Sequence, residues 1–345
     1  MADAFFPECP VIDPHHHLYP SSKSIKPPAP PMQRTFGLAP NKNYLALDLE
    51  RDMQGTKVMA TVHADAGNRY DRKLPSHLQS VGETRFVLTQ AINSVCAKGL
   101  IVGMDLTCTE LEFVEAIEMH LKEISQTGSV MSGVRAGLAH SNNNLYSSSS
   151  NAAEPAYYKR IVHNARVLGK RFHLPLDVWL YGNQLGDLVQ LAKLCPDTII
   201  VCDHVGTPLA KDDMDLWRQH MTELSQLPNV RVKLGGLGMH CCFGRQVVES
   251  GIRWQSNAIV ANLYPLYGFV YQLFGPYRVL FESNFPMDCV AYSYLSFWSA
   301  AKKMAQRMGE PEVRRRVLFS NANEWYGLGL PEPSLELYRF GEAKL

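Results

Sequence analysis

Val11-Ile12-Asp13-Pro14-His15-His16-His17-Leu18-Tyr19 is the stretch of this chain from which its fold can be inferred. The β-branched pair at its start is typical of the end of a short buried strand, and Pro14 stops that strand from continuing. His15 and His17 are two residues apart, so in an extended segment both imidazoles lie on the same side. Two imidazoles on one side can bind one metal ion. The alternatives are the remnant of an affinity tag or a solvated polar turn, but this run follows a strand-like segment.

The composition is that of a globular protein, large enough for one big barrel or for two ordinary domains. Of the 345 residues, 46% are hydrophobic and 19% are charged. The 34 basic and 33 acidic residues leave a formal net charge of +1 and form no charged block, so nothing predicts binding to nucleic acid or to an anionic membrane. No apolar run reaches the roughly 18 residues that a membrane span needs, and the first ten residues lack the features of a signal peptide.

The cysteine pattern predicts a reduced protein. The eight cysteines are scattered, and the sequence contains neither a C-x-x-C pair nor an N-x-S/T sequon. Such a pattern favours an intracellular, cytoplasmic protein. The final residues, Ala343-Lys344-Leu345, are close to the S-K-L peroxisomal signal, which makes the peroxisome the alternative location; an ordinary chain end is the other explanation.

Apolar, strand-like segments alternate with helical segments along nearly the whole chain. The predicted strands are Val11–Ile12, Lys57–Ala66, Leu100–Leu106, Ser129–Leu138, Pro175–Tyr181, Thr198–Asp203, Val230–Leu234 and Val279–Ser283. This alternation is typical of a parallel sheet, and eight such units favour a (β/α)8 TIM barrel. A doubly wound open sheet is the alternative, but it would need a glycine-rich phosphate loop after the first strand, where the histidine run stands instead.

A single domain is predicted over residues 1–345, with the barrel core at about residues 10–327. Two low-complexity loops interrupt it: the proline-rich Pro20–Pro40 after the first strand, and Ser141–Pro155 after the fourth. Long loops in compact enzymes are often lids or binding loops. Two C-terminal helices are predicted after the last strand.

The polar residues that close the predicted strands should meet at one mouth of such a barrel, because the carboxyl ends of its strands carry the catalytic groups. These residues are His15, His17, Asp65, Arg135, Tyr181, His204, Asn284 and Asp288.

His204, at the end of the sixth predicted strand, is the strongest partner for the histidine run. With His15 and His17 it could bind a single metal ion, and Asp13 and Asp203 could be the carboxylates that orient the imidazoles. The alternative is a histidine that caps its own loop.

Two residues after the eighth predicted strand are candidates for catalysis beside His204. Asp288 could act as general base on a metal-bound or free water, or it could instead cap the following helix. Asn284 could orient a substrate oxygen, but an amide cannot be a base at neutral pH.

Substrate binding is predicted for Arg135, Asp65, Tyr181 and Tyr70. Arg135 could hold a substrate carboxylate, or it could form a salt bridge at the end of its strand. Asp65 closes the second strand at the same mouth. The two tyrosines could line a pocket, although aromatic residues more often belong to the core.

The motifs together resemble the amidohydrolase superfamily, and most of all its branch of predicted metal-dependent TIM-barrel hydrolases, which includes lactonases. The resemblance runs from about residue 10 to 327. It is carried by Asp13–Leu18, Asp177–Tyr181, Asp203–Gly206, Val232–Gly236 and Phe281–Asp288. It implies an H-x-H pair on the first strand, which is His15 and His17 here, and a histidine on the sixth, which is His204.

Two positions depart from the pattern of the superfamily. Members of this branch often have a histidine after the aromatic fifth-strand motif, where this chain has Gly182-Asn183, and the aspartate of the eighth strand is replaced by Asn284. Three of the five usual ligand positions therefore remain. The resemblance implies either one divalent ion, zinc or manganese, at the three histidines or a site that works without metal, as some relatives do.

Hydrolysis of a lactone, or of a related C–O or C–N bond in a small carboxylated substrate, is the activity that the resemblance implies. The alternative is a C–C lyase such as a decarboxylase, or a metal-independent isomerase or cyclase in the same pocket; a catalytically inactive barrel that binds a ligand is a third reading. The expected partner is a small-molecule substrate, and a homodimer is a further expectation.

Overall fold

A computed structural model describes residues 5–20, 34–36, 43–92, 94–141, 155–209 and 214–340 of the chain. Eight parallel strands form one sheet in sequence order, each paired with the next. They are β1 (Val11–His16), β2 (Val58–Ala64), β3 (Gly99–Gly103), β4 (Val130–Gly137), β5 (Leu176–Trp179), β6 (Ile200–Cys202), β7 (Val230–Leu234) and β8 (Val279–Phe281). The sheet nearly closes on itself, and the predicted (β/α)8 barrel is confirmed.

Helices lie between the strands and follow the last one. In the described residues they are α1 (Ala46–Asp52), α2 (Val81–Gln90), α3 (Glu110–Ile124), α4 (Pro155–Val167), α5 (Leu185–Leu194), α6 (Met214–Ser225), α7 (Arg245–Ser250), α8 (Ser256–Phe274), α9 (Tyr294–Met308), α10 (Pro311–Arg315) and α11 (Asn321–Trp325). Short helical turns also follow several strands, among them Asp203–Gly206 after β6 and Met287–Val290 after β8.

The seam between β1 and the segment after β8 closes the barrel. The His17 N–H donates to the Phe285 carbonyl at 2.7 Å, and the Asn284 N–H donates to the His15 carbonyl at 3.0 Å. The buried carboxylate of Asp13 reinforces this seam, because it accepts the Ser283 hydroxyl at 2.6 Å and the Ser283 N–H at 3.1 Å. Asp13 therefore connects β1 to the segment after β8. The prediction that it orients the imidazoles was wrong.

Several sequence predictions fall partly or wholly outside the described residues. Most of the loop Pro20–Pro40 and nearly all of Ser141–Pro155 lie there, as do the final residues Ala343-Lys344-Leu345. Nothing in the structure supports the peroxisomal location. Within the described part of the chain, no helix has the length and apolarity that a membrane crossing requires. All eight cysteines are free thiols.

Candidate active site

Three histidines meet at the carboxyl-terminal mouth of the barrel. His15 and His17, at the end of β1, are buried, and their Nε2 atoms lie 3.3 Å apart. The imidazole of His204, directly after β6, has its ring centre 4.7 Å from that of His15. The sequence placed these side chains at one mouth, and the structure brings them into contact.

The turn after β6 holds His204 in a left-handed backbone conformation. His204 has φ 57° and ψ 39°, and Val205 follows with φ 47°. Such angles are costly for residues with a side chain and persist where the surroundings impose them. Gly236, after β7, has φ +71°, and a Cβ added there would lie 2.2 Å from the His204 imidazole. The imidazole can therefore take its place only because residue 236 has no side chain.

Glu282, one residue beyond β8, fixes the orientation of His204. One carboxylate oxygen, Oε1, accepts the Nδ1–H of His204 at 2.5 Å and the His204 backbone N–H at 3.2 Å. This leaves the lone pair of His204 on Nε2. Burial raises the pKa of the Glu282 carboxyl, but its interactions with His204, His15 and Lys233 outweigh burial and bring the pKa below its ordinary value. Glu282 is thus an anion held against an imidazole.

Lys233, on β7, supplies a second buried charge beneath the histidines. Its ammonium lies 2.6 Å from Asp177, 3.3 Å from Asp203 and 3.7 Å from Glu282, and it lies 3.0 Å from Nδ1 of His15. Burial lowers the pKa of Lys233, but the three carboxylates outweigh burial and raise it above the ordinary value. Asp203 bonds to this cation and to Arg135 rather than to His204.

Sequence reasoning missed both Glu282 and Lys233. A signal was present, because each is a charged residue inside a segment predicted as a buried strand, and such residues are almost never fully buried unless paired. Asp177 on β5 carried the same signal.

His17 and His16 point to opposite sides of β1. His17 Nδ1 donates to the Ala64 carbonyl at 2.8 Å, which leaves its lone pair on Nε2. His16 Nε2 lies 2.8 Å from the Thr61 hydroxyl, behind the mouth. Burial lowers the pKa of both imidazoles, to about 3 for His16, so that both are neutral.

Asp288 is completely buried and holds Asn284. Its Oδ1 accepts the Asn284 Nδ2 at 2.8 Å, and its Oδ2 accepts the Gly238 N–H at 2.9 Å and the Tyr292 hydroxyl at 2.5 Å. Burial raises the pKa of Asp288 to about 6, against the opposing effect of these donors. The two oxygens of Asp288 accept three hydrogen bonds, and this arrangement is typical of a residue that orients a neighbouring side chain, here Asn284. The general-base role remains a prediction.

The predicted substrate-binding residues Arg135, Asp65 and Tyr70 bond to one another. The Arg135 guanidinium donates to the Asp65 carbonyl and, at 3.4 Å, to the Asp203 carboxylate. The Tyr70 hydroxyl lies 3.2 Å from both carboxylate oxygens of Asp65. Burial raises the pKa of Asp65, and the Arg135 charge acts against it. The Arg135 charge is thus already balanced by Asp203, as the salt-bridge alternative predicted.

Tyr181 lies at the end of β5 in a small apolar cluster, with Trp179 and Ala139. Its hydroxyl lies 3.4 Å from that of Thr35, in the segment after β1. The Trp179 ring also faces the Arg135 guanidinium at 6.0 Å. This cluster borders the charged network on the β4–β5 side of the mouth.

One group of described residues could hold a divalent metal ion: His15, Asp203 and His204, each of which offers an atom within 4.8 Å of the others. The donor chemistry fits such an ion only in part. His204 and His17 keep Nε2 lone pairs, but Asp203 already binds the ammonium of Lys233, and that same ammonium contacts Nδ1 of His15.

Comparison with known proteins agrees with this barrel. A family model described as amidohydrolase matches residues 12–328. The uncharacterized protein y4mH of Sinorhizobium fredii is 28% identical over 332 residues, which cover 92% of this chain and 98% of that protein. An L-fucono-1,5-lactonase of Burkholderia multivorans is 30% identical over 164 residues, which cover only 46% of this chain and 52% of the lactonase.

Among solved structures, an amidohydrolase from Burkholderia multivorans superposes with a TM-score of 0.70 and 21% identity over 93% of this chain and 99% of that one. It was crystallised with bound HEPES and, in a second crystal form, with bound zinc. At this identity the likeness concerns the fold. Because the family model covers nearly the whole barrel, the chain belongs to the amidohydrolase family.

Proposed function

We propose that this amidohydrolase opens a lactone ring by hydrolysis, with His204 as the general base. The observation that carries the proposal is the buried pair of His204 and Glu282, in which the carboxylate accepts from Nδ1 and leaves the lone pair on Nε2. The likeness to a lactonase over about half of each chain supports the substrate class.

The residues divide the reaction as follows. His204 Nε2 takes a proton from water as the water oxygen attacks the lactone carbonyl, and Glu282 stabilises the imidazolium that forms. The C–O bond to the ring oxygen then breaks, and His204 returns its proton to the departing alkoxide. The product is a hydroxy acid, and the base is regenerated.

Arg135 and Asn284 are the groups that we assign to the substrate. The Arg135 charge is oriented by the Asp65 carbonyl and by Asp203, so it adds a fixed positive field at the mouth for the developing oxyanion. The Asn284 amide is held by Asp288, so its orientation does not have to be established when substrate binds. The walls of the substrate pocket are completed by Asp65, Tyr70 and Tyr181.

A bound zinc or manganese ion, held by His15, His17 and His204, would polarise the carbonyl and lower the pKa of a coordinated water. The residues fit that ion incompletely, because Lys233 lies against Nδ1 of His15. The steps above therefore use only the side chains of the chain itself.

A substrate panel tests the proposal and separates it from decarboxylation. Five- and six-membered sugar lactones and aromatic carboxylic acids are incubated with the full-length protein, and acid release and carbon dioxide release are recorded in parallel. We expect at least one lactone to release one equivalent of acid. Carbon dioxide from an aromatic acid, with every lactone left intact, would support the lyase instead.

A further inference from the structure

A chain of three polar contacts runs from Lys233 through the histidine pair to β2. The Lys233 ammonium lies 3.0 Å from Nδ1 of His15, and Nε2 of His15 lies 3.3 Å from Nε2 of His17. Nδ1 of His17 lies 2.8 Å from the Ala64 carbonyl. The four residues that form this chain, Lys233, His15, His17 and Ala64, are buried, and they contact one another directly.

The two ends of this chain determine the direction of every hydrogen bond in it. An ammonium can only donate, so Nδ1 of His15 must accept. A carbonyl can only accept, so Nδ1 of His17 must donate, and Nε2 of His17 keeps a lone pair. A neutral His15 then carries its proton on Nε2 and donates it to His17. Each of the three contacts thereby has one donor and one acceptor.

The opposite arrangement would place the proton of His15 on Nδ1, facing Glu282. Oε2 of Glu282 is 2.9 Å from that nitrogen, yet it forms no hydrogen bond with any described residue. In this arrangement an N–H would face the Lys233 ammonium at 3.0 Å, and two lone pairs would face each other between His15 and His17 at 3.3 Å. Two unfavourable contacts would replace the approaches of the Nδ1 lone pair to Glu282 at 2.9 Å and, more distantly, to Asp203 at 3.7 Å.

We propose that Lys233 is a positioning residue that keeps His15 in the Nε2–H tautomer, so that His15 donates a hydrogen bond to His17. The pair is then a donor and an acceptor at the mouth, not two equivalent ligands. A divalent ion could bind Nε2 of His15 only after that proton has left. Lys233 itself provides the cation that Asp177 and Asp203 require. The inference is independent of the hydrolysis proposal, because it concerns the tautomers of the resting protein.

Histidine tautomers can be read directly by NMR in the full-length protein. The chain is labelled with ¹⁵N at its 12 histidines and kept in a chelating buffer, and two-bond ¹H–¹⁵N correlations distinguish protonated from unprotonated ring nitrogens. His15→Gln and His17→Gln assign the signals. We expect His15 to be protonated on Nε2, and His17 and His204 on Nδ1. Protonation of His15 on Nδ1 in the wild-type protein would overturn the proposal, whatever the activity assays give.

Lys233→Met tests whether the lysine is the cause. We expect His15 in this variant to move its proton to Nδ1 and donate to Glu282. Lys302→Met is the matched control, because Lys302 is also buried but binds the Phe6 carbonyl at 2.8 Å, away from the mouth. Retention of the Nε2–H tautomer in a folded Lys233→Met protein would contradict the proposal. If Lys233→Met does not fold, the wild-type spectrum alone decides.

Discussion

At the scale of single residues, the group that faces Nδ1 determines whether each imidazole at the mouth can accept a proton during a reaction. A carboxylate alone faces Nδ1 of His204, and a backbone carbonyl faces that of His17. Nδ1 of His15 lies between the Lys233 ammonium at 3.0 Å and the second carboxylate oxygen of Glu282 at 2.9 Å. A buried carboxylate stabilises an imidazolium, whereas an ammonium opposes one. Of the three, His204 is therefore suited to accept a proton during a reaction, and this distinction cannot be read from three histidines in a sequence.

The charge of Glu282 can be removed with little change in its shape. In Glu282→Gln the side-chain carbonyl can still accept from His204, but it no longer balances an imidazolium. We expect kcat for lactone hydrolysis to fall by roughly 10²- to 10⁴-fold, as measured by initial rates at saturating lactone. Glu110→Gln is the control, because Glu110 forms a similar contact with His163 at 2.6 Å but on the exposed surface. Equal losses in both variants would contradict the assignment.

The buried carboxyl of Asp288 could either position Asn284 or act as the general base, and a substitution distinguishes the two roles. If it positions Asn284, Asp288→Asn should leave kcat within about tenfold of wild type, less than the 10²- to 10⁴-fold typical of a lost general base. The replacement keeps an acceptor and a donor beside Asn284, Gly238 and Tyr292. A loss of kcat as large as that of a His204 variant, in a protein with an unchanged melting temperature, would identify Asp288 as the base.

At the scale of elements, the turns after β6 and β7 are built to fit each other. The left-handed turn at His204 directs the imidazole toward the backbone of Gly236, where a side chain would collide with it. Close contact between the backbone after β7 and the ring after β6 thus determines the position of the reactive nitrogen, Nε2 of His204. Glu282, beyond β8, also holds the ring, through a hydrogen bond to its Nδ1.

This fit predicts different outcomes for two glycine substitutions. Gly236→Ala should lower kcat by about 10²-fold, as expected when a catalytic group is misplaced by about 1 Å. Gly251→Ala is the control, since Gly251 has a similar φ of +69° but nothing within 4 Å of an added Cβ. Both should lose roughly 1 kcal/mol of stability from the positive φ, and Gly236→Ala should lose more than Gly251→Ala because its Cβ would collide with the imidazole. An unchanged kcat for Gly236→Ala, in the same steady-state assay, would show that the turn does not set the position of His204.

At the scale of the whole molecule, the barrel closes around a buried carboxylate. Asp13 accepts hydrogen bonds from Ser283 and, at 2.9 Å, from the Tyr294 hydroxyl, so it ties β1 to the segment after β8 and to α9. Burial raises the pKa of Asp13 to about 6, although these donors act in the opposite direction. The folded chain therefore binds this proton at a pH where the unfolded chain has lost it.

The sign of the resulting pH effect is fixed by linkage. Between about pH 4 and 6 the folded state binds more protons at Asp13 than the unfolded state does, so this group makes the free energy of unfolding fall as pH rises. Asp13→Asn removes the titration. We expect the stability of wild type, relative to Asp13→Asn, to rise by about 1 kcal/mol between pH 7 and pH 5 in urea unfolding. A constant difference, or a change of opposite sign, would contradict the raised pKa.

Much of the architecture follows from sequence pattern, because most barrel strands are largely apolar and alternate with helical segments. Seven of the eight strands were predicted near their observed positions, but β1 continues through Pro14 to His16, so the prediction that Pro14 stops it was wrong. The histidines at the ends of β1 and β6 were placed at the same mouth. The network beneath them was not predicted. Which carboxylate reaches which imidazole depends on the pairing of distant strands, so Glu282 and Lys233 appear in the sequence only as charges inside buried strands. For the same reason Asp13 was placed beside the imidazoles and instead closes the barrel.

The rate of lactone hydrolysis by His204→Gln, beside wild type and after removal of metals by a chelator, tests the central claim most directly. Wild type should retain its activity in the chelating buffer, and His204→Gln should fall roughly 10²- to 10⁴-fold below it while remaining folded. Wild-type activity that disappears with the chelator and returns with added metal would contradict the account, and so would a His204→Gln protein that hydrolyses the lactone at the wild-type rate.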